Sequence, residues 1–442
     1  MPHSRRLLAV AITAAATCLG AQAVPAAAAT GSDTEVSRGV TIPAFYNPPA
    51  ELPAANGTLI RSEPLPLALS LPSLGGPLPG RATRLMYKST DSNGRPVAVT
   101  GAYIEPTAAW KGTGPRPLVV VAPGTMGQGD QCAASLGLEH PLQLNGQTVS
   151  VGYEDLSVYR LLAQGTAVVV TDYVGLGATD RLHTYVNRVD EAHAVLDAVR
   201  AAHSVGGATI NSASRVGLFG YSQGGGATAA AAELQPSYAP EITLAGTYAG
   251  APPADLTKVT AAIDGSDLAG ALGWSLNGFL QSDPALKPLA EAHLSAKGKA
   301  ALADLSTMCV GDALLGYAFT KSSAWTTDGE SLGDIIASEP AIQAFLDDQR
   351  IGLLKPASPV RVATGTSDNL VPHGQARDLA VNWCKLGANV SYKAVVLPDV
   401  GDALVNHFGP LLTDQGDAIS WLTDRLNGKA AVSNCWSMPI QP

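Results

Sequence analysis

The chain is short of charge, of aromatic residues and of cysteine. Of its 442 residues 15% are charged, 5% are aromatic and five are cysteines. So little charge excludes the long like-charged blocks that keep a segment disordered. Lys and Arg total 28 against 37 Asp and Glu, and the net charge of −9 provides no basic face for a nucleic acid. No Cys/His cluster has zinc spacing and no glycine-rich loop runs into a phosphate-binding Lys, so no metal or other cofactor is expected. Beyond residue 29 no run reaches the roughly 18 uninterrupted apolar residues of a membrane helix. Transient contact with a lipid interface is therefore the only membrane association expected. What the chain does have is 46% hydrophobic residues, enough for a large core.

Residues 1–29 have the three parts of a secretory signal peptide. Arg5 and Arg6 form a positive start, Leu7 to Val24 is apolar, and Ala27-Ala28-Ala29 offers the small residues of a cleavage site. Ala15 stands three positions before Cys18 where a lipoprotein signal would carry leucine. Export with cleavage near Ala29 is thus expected, and losing two arginines and no acid would shift the net charge from −9 to −11. Cys132, Cys309, Cys384 and Cys435 then remain, an even count that outside the cell reads as two disulfides in any of three pairings.

Residues 30 to 80 carry nine prolines and little periodicity, and read as an extended arm. Strand and helix signals then alternate. Pro96 to Ile104, Leu118 to Ala122, Ala167 to Val170, Val216 to Phe219, Ile242 to Tyr248, Val360 to Thr364 and Val390 to Leu397 read as strands. Glu154 to Ala163, Val189 to Val199, the segment from Gly224 and Asp417 to Leu426 read as helices, the first with Leu156, Tyr159 and Leu162/Ala163 on its apolar face. This alternation predicts a mostly parallel sheet with helices on both faces, and ligands beyond the carboxyl ends of its strands. The stretch from 253 to 350 breaks the pattern with helices and no convincing strand. The expected organisation is a core (30–252), an inserted helical cap (253–350) and the rest of the core (351–442).

Gly220-Tyr221-Ser222-Gln223-Gly224 is a G-x-S-x-G string, and with 46 glycines in the chain the bare string says little. Its setting says more: a strand precedes it and a helix follows, the strand–turn–helix of a nucleophile elbow. The elbow strains the serine backbone, leaves no room for side chains two residues either side, and puts a helix N-terminus behind the hydroxyl. A serine needs a base and the base an orienting carboxylate, in the chain order Ser, acid, His. Only His293, His373 and His407 follow Ser222. His293 falls in the cap and His373 on the acid's own loop, whereas His407 stands in a loop between the last strand and the closing helix. Asp368, just past the strand ending at Thr364, is the acid; Asp399 and Asp402 share the histidine's loop. The backbone N–H groups of Thr125, in the turn after Leu118 to Ala122, and of Gln223 are the expected oxyanion donors.

At this point the chain resembles the secretory lipase family (fungal lipase A type) of the α/β-hydrolase superfamily over nearly its whole length past the signal. The resemblance rests on Phe45-Tyr46-Asn47-Pro48-Pro49, Cys132-Ala133-Ala134-Ser135, Gly220-Tyr221-Ser222 and Gly250-Ala251-Pro252-Pro253. It continues in Leu294-Ser295-Ala296-Lys297-Gly298 ahead of Cys309, and in Asp368-Asn369-Leu370-Val371-Pro372. It implies an α/β-hydrolase fold, a cap over the site, and disulfides pairing Cys132 with Cys309 and Cys384 with Cys435. The chain departs from fungal lipase A in three places. Pro123-Gly124-Thr125 replaces an acidic residue, Gln223 replaces a glycine and is expected to narrow the pocket, and with seven residues after Cys435 no C-terminal flap is expected.

The expected activity is hydrolysis of lipid or other hydrophobic acyl esters through an acyl-enzyme. A serine peptidase or an acyltransferase would use the same triad, because both also form an acyl-enzyme. A secreted binding protein on a hydrolase scaffold would usually show a broken one.

Overall fold

The computed structural model describes residues 34–72 and 77–442, so the expected signal peptide (1–29) lies outside the described residues. A nine-stranded sheet organises the rest, in the spatial order β13-β12-β11-β10-β6-β9-β5-β4-β3. Its strands are β3 (Leu59–Leu65), β4 (Gly80–Thr90), β5 (Pro96–Pro106), β6 (Leu118–Ala122), β9 (Ala167–Val174), β10 (Val216–Tyr221), β11 (Leu244–Gly250), β12 (Val360–Gly365) and β13 (Val390–Val395). From β9 to β13 neighbours run parallel, and β3, β4 and β5 form an antiparallel meander whose inner member pairs antiparallel with β9. Two small hairpins lie outside it, β1 (Val36–Ser37) with β2 (Val40–Thr41) and β7 (Leu142–Leu144) with β8 (Val149–Val151).

The parallel strands are buried on both faces, which is why they read as continuous apolar runs. In β6, Leu118, Val120 and Ala122 enter one core layer while Val119 and Val121 enter the other. The first layer is closed by α3 (Arg188–Ala202), α4 (Gln223–Tyr238) and α12 (His373–Lys385). The second is closed by α1 (Ala134–Glu139), α2 (Asp155–Ala163) and α13 (Ala403–Leu426). This is the doubly covered parallel sheet of an α/β-hydrolase fold.

Two features depart from expectation. The arm holds more regular structure than its prolines suggest: β3 lies at the edge of the sheet, where the missing N–H of Pro64 is tolerated, and β4 follows it. In α2 the buried face is Val158, Leu161 and Leu162, and Leu156 points to solvent.

Between β11 and β12 the chain is helical: α5 (Leu256–Ile263), α6 (Gly270–Ser282), α7 (Lys287–His293), α8 (Ala296–Leu305), α9 (Val310–Gly316), α10 (Leu332–Ser338) and α11 (Pro340–Asp348). They bury two apolar clusters of their own, one around Trp274, Leu305 and Trp325, the other around Phe279, Leu286 and Leu346. Cys132 is bonded to Cys309, 177 residues away, and Cys384 to Cys435, 51 away.

Candidate functional site

Strand β10 ends at Tyr221, α4 begins at Gln223, and Ser222 makes the turn with φ 59° and ψ −126°. A non-glycine residue held there costs about 1–3 kcal/mol and persists only where its surroundings fix it. Here the Ser222 N–H donates to Gly250 O at 2.9 Å and its carbonyl accepts from Gly226 N–H at 3.0 Å. The flanking glycines are steric requirements. A Cβ on Gly220 would sit 2.1 Å from Gly224 O, and one on Gly224 would sit 2.0 Å from Ala122 O.

Asp368 and His407 arrive from the carboxyl side of the same sheet. The Asp368 Oδ1 accepts the Leu370 and Val371 N–H groups at 3.1 and 3.0 Å, which leaves Oδ2 for His407 Nδ1 at 2.7 Å. His407 Nε2 lies 2.9 Å from Ser222 Oγ. All three residues are buried. With Nδ1–H donated to the carboxylate, Nε2 presents its lone pair to the serine hydroxyl, so the set can deprotonate Ser222 as it attacks. Tyr221 Oη–H donates to His407 O at 2.7 Å and steadies the ring's backbone.

His407 stands on the second turn of α13, not in a loop. Gly409 and Pro410 suggest a break in the sequence, but the helix runs through them because Pro410 packs into the space left by Gly365, where a Cβ would meet its Cγ at 2.4 Å. The other candidates lie elsewhere. His373 faces Tyr392 and His293 faces Glu339, each at 3.2 Å. Asp399 accepts from Asn406 Nδ2, and Asp402 caps α13 through Val405 N–H.

The turn after β6 is held from several sides. Pro123 O accepts from Tyr173 Oη–H at 2.7 Å, Gly124 N–H donates to Glu154 Oε1 at 2.7 Å, and Thr125 O accepts from Tyr153 Oη–H at 2.9 Å. Thr125 Oγ1 meets Tyr185 Oη at 2.7 Å. Met126 O accepts from Val310 N–H at 2.8 Å beside the Cys132–Cys309 bond. Burial raises the Glu154 carboxyl to about 7. Among the described residues, neither the Thr125 nor the Gln223 backbone N–H has an acceptor.

A largely apolar cavity is lined by Ser222 and Gln223, by Tyr185 and Val186, and by Leu256, Leu272 and Phe279 of the helical stretch. Phe279 also lines a second, wholly apolar cavity with Leu286, Ile342 and Phe345. The Gln223 carboxamide is turned away into the protein, onto His183 and Glu191. Nothing in the sequence marks those two residues, because Glu191 falls in the first turn of an amphipathic helix where an acid is ordinarily solvated. Among the described residues no group of three His, Cys, Asp or Glu side chains could hold a metal ion, and no helix is long and apolar enough to cross a membrane.

The fold is that of Candida antarctica lipase A in its closed state (TM-score 0.71, 21% identity, 88% of both chains). It is also that of a ligand-bound rice cell wall degrading esterase LipA from Xanthomonas oryzae (TM-score 0.69, 20% identity, 85% of this chain and 100% of that one). Residues 138–434 match the family described as Secretory lipase, and the chain belongs to that family. Lipase 5 of Candida albicans is 29% identical over 401 residues, 88% of this chain and 82% of its own. A Mycobacterium tuberculosis relative named "Probable inactive lipase MT1628" is 29% identical over 387 residues, 87% of this chain and 82% of its own.

Proposed function

We propose that the chain is an exported carboxylic ester hydrolase with Ser222 as nucleophile, His407 as base and Asp368 as the carboxylate that orients it. The observation that carries this reading is the continuous hydrogen-bonded line from Ser222 Oγ through His407 to Asp368. Ser222 Oγ attacks the ester carbonyl while its proton passes to His407 Nε2. The Thr125 and Gln223 N–H groups receive the developing oxyanion, and the alcohol leaves with the proton from His407. Water then repeats the sequence on the acyl-enzyme. The apolar cavity favours lipid or other hydrophobic acyl groups, with residues 253–350 acting as a cap over them. Two disulfides suit an oxidising, extracellular setting.

A relative named as inactive makes turnover the decisive question. The chain should hydrolyse p-nitrophenyl butyrate. Ser222→Ala and His407→Ala should each lower kcat about a millionfold, because members of a triad act as a unit, and Asp368→Asn about ten-thousandfold. Full turnover by Ser222→Ala would overturn the proposal.

A further inference from the structure

The two N–H groups assigned to the oxyanion come from segments 98 positions apart in sequence, the turn at Thr125 and the elbow at Gln223. A buried line of contacts joins them. Thr125 Oγ1 meets Tyr185 Oη at 2.7 Å, and the next residue, Val186, donates its N–H to Glu191 Oε1 at 3.0 Å. That same oxygen accepts from Gln223 Nε2 at 2.8 Å. The second hydrogen of the carboxamide goes to His183 Nε2 at 3.0 Å. His183 can accept there because Val174 O, 2.9 Å from Nδ1, holds its proton on the other nitrogen.

Two independent features mark this line as more than packing. Val186, a β-branched residue in the wall of the Ser222 cavity, is held at φ 55°, a conformation kept only where the surroundings impose it. Glu191, His183 and Gln223 are all buried, yet Glu191 Oε1, the Gln223 Nε2 hydrogens and His183 Nε2 are satisfied by one another and by the Val186 N–H. Resting on the ester-hydrolase reading above, we infer that Glu191 is a positioning residue for the reaction: through one carboxyl oxygen it ties the Gln223 end of the oxyanion site to the strained Tyr185–Val186 wall and so to Thr125. The Gln223 side chain is then a strut that restrains the peptide carrying its N–H, rather than a wall that narrows the acyl pocket. Burial supports the same picture, raising Glu191 to about 8 and lowering His183 to about 4, both shifts toward the neutral form. A neutral amide in place of Glu191 would keep the accepting oxygen.

The test compares wild type, Glu191→Ala, Glu191→Gln, Gln223→Met and Ser222→Ala on soluble p-nitrophenyl butyrate at pH 7, with kcat and KM determined separately and folding checked by near-ultraviolet circular dichroism. Losing an oxyanion donor outright costs about 100- to 1000-fold in kcat, so loosening one should cost about 10- to 100-fold. Glu191→Ala and Gln223→Met should each lose that much kcat with KM within threefold of wild type, and Glu191→Gln should recover kcat to within threefold. Should Glu191→Ala fail to fold, Gln223→Met decides by the same criterion. Wild-type kcat in Glu191→Ala or Gln223→Met, or a Glu191→Gln variant as slow as the alanine, would overturn the inference while an inactive Ser222→Ala leaves the ester-hydrolase reading standing. An active Ser222→Ala would overturn both.

Discussion

The two disulfides are similar in kind but differently placed, and removing them separately should have different consequences. Cys132–Cys309 closes a loop of 177 residues and Cys384–Cys435 one of 51. In the chain-entropy model those lengths correspond to about 5 and about 4 kcal/mol of stability, upper figures because the unlinked chain keeps some structure. Stability alone therefore barely separates them. Position does. Cys132–Cys309 lies where Met126 O and Gln128 N–H pair with Val310 and Met308, one residue from Thr125. Cys384–Cys435 fastens the C-terminal segment to α12 and touches none of the three proposed catalytic residues. The paired variants Cys132→Ser/Cys309→Ser and Cys384→Ser/Cys435→Ser should thus lose comparable stability in guanidinium unfolding, about 2–5 kcal/mol each. In buffer at 25 °C, with the fold of each checked by circular dichroism, only the first should lose kcat on p-nitrophenyl butyrate. An equal loss of kcat in both, or none in the first, would refute the link between this bond and the oxyanion turn.

Two further outcomes follow from buried groups and from the cavities. Burial raises Glu154, Asp155 and Asp130 to about 7 and Glu191 to about 8, so the folded state holds protons on them that an unfolded chain has already released. Stability must then fall as pH rises through those values, while His183, lowered to about 4, works in the opposite direction only below about 6.5. Scanning calorimetry should show Tm decreasing from pH 6.5 to 8.5; a flat or rising Tm would contradict the assignment of these carboxyls as buried and neutral. Phe279→Ala should join the two apolar cavities and shift the preferred p-nitrophenyl ester toward longer acyl chains, and an unchanged chain-length profile would show that Phe279 does not divide them.

What the sequence shows and what it hides follow from which side chains are buried. The strands at Leu118–Ala122 and Val216–Tyr221 stand out because both their faces are covered, and the elbow stands out because Gly220 and Gly224 have backbone oxygens where side chains would be. Chain order together with position after the core strands singles out Ser222, Asp368 and His407, and the structure brings them into one hydrogen-bonded line. Strand β4 is masked by Arg81, Arg84 and Lys88, whose pattern does not alternate cleanly; Arg84 is buried against Glu63, Glu139 and the rings of Phe45 and Tyr46. The start of α13 is hidden by Gly409 and Pro410, whose accommodation depends on a glycine 45 residues earlier. Glu154, His183 and Glu191 are invisible for a related reason. Their partners lie on other elements, so no local pattern distinguishes them from solvated residues.

The central claim, that Ser222 is acylated by substrate with His407 as its base, is tested most directly by covalent trapping. A p-nitrophenyl alkylphosphonate imitates the tetrahedral intermediate and stays on an activated serine. Incubated with the wild-type chain, it should add one phosphonyl group per molecule, carried on the peptide containing Ser222, with esterase activity disappearing in proportion to labelling. His407→Ala should remain unlabelled over the same time. Labelling at another residue, or ester turnover that persists after stoichiometric modification of Ser222, would contradict the account.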